Sequence, residues 1–237
     1  MPINAIILAA GLGVRMRPLT ETIPKPLIAV SGRPLLDWNI KILVDSDIQN
    51  IVINVHHLAE QIRTYSKSIH YPRIILSDES EGLLDSGGGV KNALKHLGSD
   101  PFIVVNADSL WLDGPKPNIA RLVEAWDATK MDIILMLASG PQVSGYSGMG
   151  DFIMSQNGQL TRRFENTVSP FIYTGLAMMK PELFLDTPKG PFSLNLIFDR
   201  AIKKKNLYGL RLDGLWMHVG TPNAIDEAER QLKQSIL

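Results

Sequence analysis

Four stretches of the 237-residue chain carry residue types that could do chemistry together. The first is L-A-A-G-L-G-V-R-M-R-P-L-T, Leu8 to Thr20, with P-K-P-L following at Pro24 to Leu27. Gly11 and Gly13 let backbone N–H groups approach a phosphate chain, and Arg15 and Lys25 add the positive charge that a triphosphate needs. The second is L-L-D-S-G-G-G-V, Leu83 to Val90, where Gly87 to Gly89 can let a flat base lie against backbone and a helix starting at Val90 presents N–H groups. The third is Asn106-Ala107-Asp108 after an apolar run, which places a carboxylate where a hard divalent cation can bind. The fourth is Trp216-Met217-His218-Val219-Gly220-Thr221. The glycine pattern of the first stretch is not that of a dinucleotide fingerprint, since Met16 stands where a third glycine belongs, and no G-K-[ST] follows as a P-loop requires.

The elements that must position these residues are legible as alternating apolar runs and amphipathic segments, the pattern of βαβ units in a largely parallel sheet. Strands are expected at 3–10, 51–55, 73–76, 102–105 and 132–137. Helices are expected from Pro34, taken as the first helical residue, to about Ser46, over the face marked by Leu58, Ile62, Tyr65 and Ile69, after the glycine cluster, and over 119–128. From about 140 to 173 the periodicity fades and turn residues such as Asn157-Gly158 point to antiparallel hairpins. Strands at 175–179, 208–212 and 216–219 and helices at 194–204 and 224–232 complete the chain. Ligands in such open sheets collect beyond the carboxyl ends of the strands, where the first loop and Asp108 both fall.

Composition narrows the function classes. With 24 basic and 24 acidic residues the chain has no general field for a polyanion, so nucleic acid is not an expected partner. No stretch is apolar for long enough to span a bilayer, and the N-terminus lacks the features of a secretory signal. The absence of cysteine excludes thiolate chemistry and fits a reducing cytoplasm, the expected location.

The four stretches together resemble the signature of the sugar-1-phosphate nucleotidyltransferase family, G-x-G-x-R-M-x-P-L-T with a downstream P-K-P, and the later segments follow in the family's order over essentially the whole chain. The resemblance implies a Rossmann-like, doubly wound, mostly parallel α/β sheet of the nucleotide-diphospho-sugar transferase type. Residues 1–237 would form one nucleotidyltransferase domain, with a hairpin-rich sugar-side insertion at about 140–175. It implies nucleotide contacts from Leu8, Ala9, Ala10, Gly11, Gly13, Arg15, Gly87, Gly88 and Asn106. It gives Arg15 the grip on the triphosphate, Lys25 the contact at the reacting phosphates and Asp108 a magnesium ion, with manganese as the alternative. Glu165, Thr174 and Gly175 occupy places where relatives bind the sugar.

At His218 the chain departs from the family's W-x-D-[VI]-G-T, whose aspartate is a second metal ligand. Three arrangements stay open: a histidine-tolerant metal site, a metal held by Asp108 with phosphates and water, or a lost activity. The second is favoured, because magnesium binds through few carboxylates and keeps waters, whereas imidazole suits it poorly. The implied partners are a nucleoside triphosphate and a sugar 1-phosphate, with the protein a monomer or homodimer. Leu83 to Val90 and Pro181 to Phe184 are most similar to members pairing UTP with N-acetylmuramate 1-phosphate. GTP with mannose 1-phosphate is the alternative, followed by a catalytically silent sugar-nucleotide-binding protein. A dehydrogenase on the same sheet is disfavoured by the failed dinucleotide pattern.

Overall fold

The computed structural model describes residues 3–235. In chain order the strands and helices are β1 (Ala5–Leu8), β2 (Ala29–Val30), β3 (Arg33–Pro34), α1 (Leu35–Asp45), β4 (Asn50–Val55), α2 (Ala59–Lys67), β5 (Arg73–Asp78), α3 (Asp85–Leu97), β6 (Phe102–Asn106) and β7 (Ser109–Asp113). There follow α4 (Asn118–Ala125), β8 (Ile133–Ala138), β9 (Val143–Ser144), β10 (Phe152–Met154), β11 (Leu160–Arg162), β12 (Ile172–Met179), α5 (Leu194–Lys203), β13 (Leu207–Arg211), β14 (Gly214–His218) and α6 (Pro222–Gln234).

Seven strands form the central sheet in the order β13-β8-β12-β6-β1-β4-β5. The β6-β1-β4-β5 half is wholly parallel, and β12 alone runs against its neighbours β6 and β8. Strand side chains alternate faces, and this sheet is apolar on both. Ala5, Ile7, Ile51, Ile53, Ile103 and Val105 pack with Leu36, Ile40 and Leu43 of α1, Ile62 of α2 and Ile119 and Leu122 of α4. Ile6, Val52, Phe102 and Val104 point the other way, onto Val90, Ala93 and Leu97 of α3 and Leu194, Ile197 and Phe198 of α5. Each such fully buried Ile, Leu or Phe contributes about 1.5–3 kcal/mol relative to exposure, so covering both faces is what holds these strands in register. A third cluster joins Met16, Ile28 and Leu110 to Met217, Val219 and Ala228, and it seats α6 beside the first loop.

Tertiary pairing overrides the local reading at three places. Pro34 precedes the first helix, because its extended backbone pairs with Ala29 in the β2–β3 hairpin and the helix begins at Leu35. Ser109–Asp113, to which the sequence pattern assigns no element, is a strand. Its partner is β14, register Ser109 to His218, with β9 on the far side of β14, and no local pattern reveals a pairing across about a hundred residues. In the segment read as hairpins, β10 and β11 pair antiparallel about Asn157-Gly158, whereas β9 joins β14 in parallel.

The third helix starts at Asp85, not at Val90, so Gly87 to Gly89 lie inside its first turns. A glycine there costs roughly 0.5–1 kcal/mol relative to alanine, and packing explains its presence. A Cβ on Gly87 would stand 2.5 Å from the Phe192 ring and 2.8 Å from the Phe192 carbonyl oxygen, which accepts hydrogen bonds from the N–H groups of Gly87 and Gly88. Overpacking of this kind costs about 1–3 kcal/mol and outweighs the gain in helix propensity. Gly87→Ala is therefore expected to lower the thermal midpoint by several degrees. An unchanged or higher midpoint in a calorimetric scan would show that the 190–192 segment yields freely.

Candidate active site

A cleft of about 390 Å³ lies across the carboxyl ends of β6, β1, β4 and β5, the position that an open parallel sheet offers to a ligand. Among its lining residues are Leu8, Ala9, Ala10, Gly11, Gly13, Arg15, Lys25, Asn54, Glu79, Asn106 and Asp108.

The first loop leaves β1 and turns at Gly13, whose φ of 63° is the left-handed region that glycine enters freely. The space is as restrictive as the angle, since a Cβ on Gly13 would lie 2.7 Å from Thr20 Cγ2 and 3.2 Å from Lys25 Cβ. The Thr20 hydroxyl donates to the Gly13 carbonyl at 2.8 Å, and His57 Nε2 meets the Thr20 carbonyl at 2.8 Å. The loop is thus folded back on itself, with Arg15 in one short helical turn and Lys25 in another. A Cβ on Gly11 would meet nothing within 4 Å, which leaves its backbone open to the cleft.

Asp108 is held from both sides. The N–H of Ala107 donates to the Leu8 carbonyl, and the N–H of Val219 donates to the carbonyl of Asp108 itself. Its carboxylate then accepts from Lys25, Nζ to Oδ2 at 2.6 Å, across 83 residues of sequence. Burial on its own would raise the Asp108 carboxyl, but the Lys25 ammonium, with help from His218 and Arg15, holds it below the usual carboxylate range. Arg15, Lys25 and Asp108 therefore line one cleft, with two cations about one carboxylate. The pair is self-compensated, and a polyphosphate entering beside Arg15 would find a lysine and a carboxylate already placed.

His218 Nδ1 stands 3.9 Å from Asp108 Oδ2, with the ring stacked on Trp216 at 5.8 Å between centroids. Burial lowers its pKa more than Asp108 raises it, so at neutral pH the contact is between a carboxylate and a neutral imidazole. Among the described residues no group of three or more His, Cys, Asp or Glu could hold a metal ion. The donor set at Asp108 therefore fits a cation that takes one carboxylate and completes its shell with phosphate oxygens and water, as magnesium does.

Other expected site residues fall elsewhere. Gly87 and Gly88 are buried behind the cleft wall, with their N–H groups already given to Phe192, and it is Asp85 and Ser86 that line the cleft. Thr174 is fully buried and donates to the Met136 carbonyl. Glu165 lines a separate groove with Tyr146, Asp151, Arg162 and Arg163. Gly175, at φ 84°, lets β12 pass close to Asn106, because a Cβ there would lie 2.8 Å from Asn106 Cβ. Asn54 and Glu79 went unread in the sequence although both line the cleft. The usable signal was an amide in the otherwise apolar run Ile51–Val55, which has to be satisfied at the buried end of a strand.

Comparison with known proteins bears on this cleft. The family model for nucleotidyl transferases matches residues 4–235. The N-acetylmuramate alpha-1-phosphate uridylyltransferase of Caulobacter vibrioides is 38% identical over 238 residues, spanning 99% of this chain and 98% of that protein. The enzyme of the same description from Neisseria meningitidis serogroup B is 33% identical, spanning 95% and 96%. Among solved structures, UDP-glucose pyrophosphorylase complexed with UDP-glucose matches with a TM-score of 0.81 over 99% of this chain and 100% of that one, and at 16% identity this likeness shows the fold alone. A family model that takes in the loop, the lysine and the aspartate, with relatives similar from end to end, makes the conclusion direct: this chain belongs to the nucleotidyl transferase family.

Proposed function

We propose that the chain transfers a uridylyl group from UTP to N-acetylmuramate 1-phosphate, releasing pyrophosphate. The observation that carries this is the 2.6 Å contact between Lys25 and Asp108 in the cleft that also presents Arg15 and the glycine loop. The full-length similarity to two N-acetylmuramate alpha-1-phosphate uridylyltransferases supplies the choice of substrates.

A phosphate oxygen of the sugar 1-phosphate attacks the α-phosphorus of the triphosphate. The new P–O bond forms as the bond from the α-phosphorus to the bridging oxygen breaks, and that oxygen leaves with pyrophosphate. No protein nucleophile takes part. A phosphate monoester with a second pKa near 6 is mostly ionised at neutral pH, so no strong base is needed either. What the chain provides is alignment and charge. Arg15 grips the outer phosphates through a planar fork of donors, and Lys25 turns its ammonium to the reacting phosphates. The backbone at Gly11 stays open for the phosphates to approach. Magnesium, held by Asp108, would neutralise charge on the phosphates. His218, held neutral by burial, adds no charge of its own beside the Asp108 carboxylate.

Two outcomes follow. In a pyrophosphate-release assay crossing UTP, GTP, CTP and dTTP with the 1-phosphates of N-acetylmuramate, mannose, glucose and N-acetylglucosamine, UTP with N-acetylmuramate 1-phosphate should give the highest kcat/KM. A clear preference for GTP with mannose 1-phosphate would overturn the substrate assignment. Lys25→Ala and Asp108→Ala should each lower kcat/KM about 10²-fold or more, in the range that loss of one charge-stabilising group costs, without loss of the folded state. Near-normal turnover in either variant would remove that residue from the chemistry.

A further inference from the structure

Three hydrogen bonds run in series along the cleft wall, leading from the loop after β1 away from Asp108. The backbone N–H of Ala9 donates to Asn54 Oδ1 at 2.6 Å, Asn54 Nδ2 donates to Glu79 Oε1 at 2.7 Å, and the N–H of Leu84 donates to Glu79 Oε2 at 3.0 Å. The series ties together the loop after β1, the end of β4 and the segment entering α3, all of which line the cleft. In strand order Glu79 is three places from Asp108, about 14 Å at the usual strand spacing, so the Glu79 end of the series lies well away from the Lys25–Asp108 pair.

The series has only one workable polarity. A peptide N–H can only donate, so Asn54 must turn its oxygen to Ala9 and its amide nitrogen to position 79. Position 79 then has to accept twice, at two separate tips, because the Leu84 N–H also donates. A carboxylate satisfies that demand; a glutamine, with one acceptor tip and one donor tip, does not. The arrangement has little room to adjust. Asn54 and Glu79 are each 3% exposed, and a Cβ on Gly89 would lie 2.7 Å from both Asn54 Nδ2 and Glu79 Oε1. Burying a carboxylate is costly, and burial raises the Glu79 carboxyl despite its two donors. The transfer chemistry at Lys25 and Asp108 makes no use of that charge.

We propose that Glu79 is a positioning residue for nucleotide binding: anchored through Oε2 by the Leu84 N–H, it accepts from Asn54 Nδ2 through Oε1, and the amide so fixed holds the Ala9 peptide in the orientation that the nucleotide meets. This rests on the reading of the cleft as a nucleotide site.

The test exploits the polarity. Glu79→Gln leaves one donor facing another: at Leu84 if the glutamine oxygen turns to Asn54, at Asn54 if it turns to Leu84, or at Ala9 if the Asn54 amide also turns over. Asn54→Asp sets two carboxylates against each other. Combining Asn54→Asp with Glu79→Gln reverses the pair and restores every bond: the introduced glutamine donates to the introduced aspartate and accepts from the Leu84 N–H, while that aspartate also accepts from the Ala9 N–H. UTP affinity by titration calorimetry should fall about tenfold or more in each single variant, the scale of a buried donor left unpaired, and return to within about threefold of wild type in the double. The Ala9 amide resonance should shift in the singles and move back in the double. Singles that bind like wild type would overturn the proposal, as would a folded double variant as weak as the singles. If the singles do not fold, the double variant alone decides by the same criterion. Wild-type protein with no affinity for UTP would instead refute the nucleotide reading of the cleft, a failure distinct from that of a double variant which does not recover.

Discussion

The contact on which the site depends is the one between Lys25 and Asp108, and it is electrostatic before it is structural. An ammonium and a carboxylate 2.6 Å apart, both largely out of water, attract strongly, but removing them from water is itself costly. As a stabilising device the pair is a poor choice. As a prepared site it has a clear use, because it keeps a charged lysine beside a carboxylate whose proton has been driven off. Arg15 adds a second cation to the same cleft. Surroundings of this kind offer a polyphosphate and its counter-cation a place in which little has to be rearranged.

Everything else in the fold serves to bring those groups to one edge. Lys25 lies in a loop that leaves β1, and Asp108 follows β6, the strand paired directly with β1. The buried faces of the sheet set that register, and the third apolar cluster seats the loop against β14 and α6. The N–H of Val219 then fixes Asp108 from the β14 side. The strand β7, immediately after Asp108, pairs with β14 and brings His218 opposite Ser109. The imidazole beside Asp108 is thus a consequence of register; it stacks on Trp216, and burial lowers its pKa.

Much of this was legible in the sequence because the determinants are local. Continuous apolar runs mark the parallel strands, and glycines close to arginine and lysine mark the loop. Asp108 stands immediately after a run that can only be a buried strand. The illegible parts have their cause in distant partners. The strand at Ser109–Asp113 owes its existence to β14, about a hundred residues away. Gly87 looks the same in sequence whether it accommodates a base or a phenylalanine ring, and Phe192 lies in a segment that carries no signal linking it to that glycine. Glu165 and Thr174 sit in a region where periodicity fails, so neither burial nor direction could be read. Thr174 proved to be part of the core and Glu165 part of another groove. Asn54 and Glu79 escaped notice for a different reason: each is an ordinary polar residue until the other is placed beside it.

The central claim is that one nucleoside triphosphate spans Arg15, Lys25 and the Asp108 side of the cleft. A crystal structure with magnesium and a UTP analogue whose α–β bridge resists cleavage tests it most directly. The account predicts the outer phosphates on Arg15, Lys25 turned from Asp108 toward the α-phosphate, and the cation on Asp108. A triphosphate bound outside this cleft, or one inside it with the Lys25–Asp108 contact intact and no cation on Asp108, would contradict it.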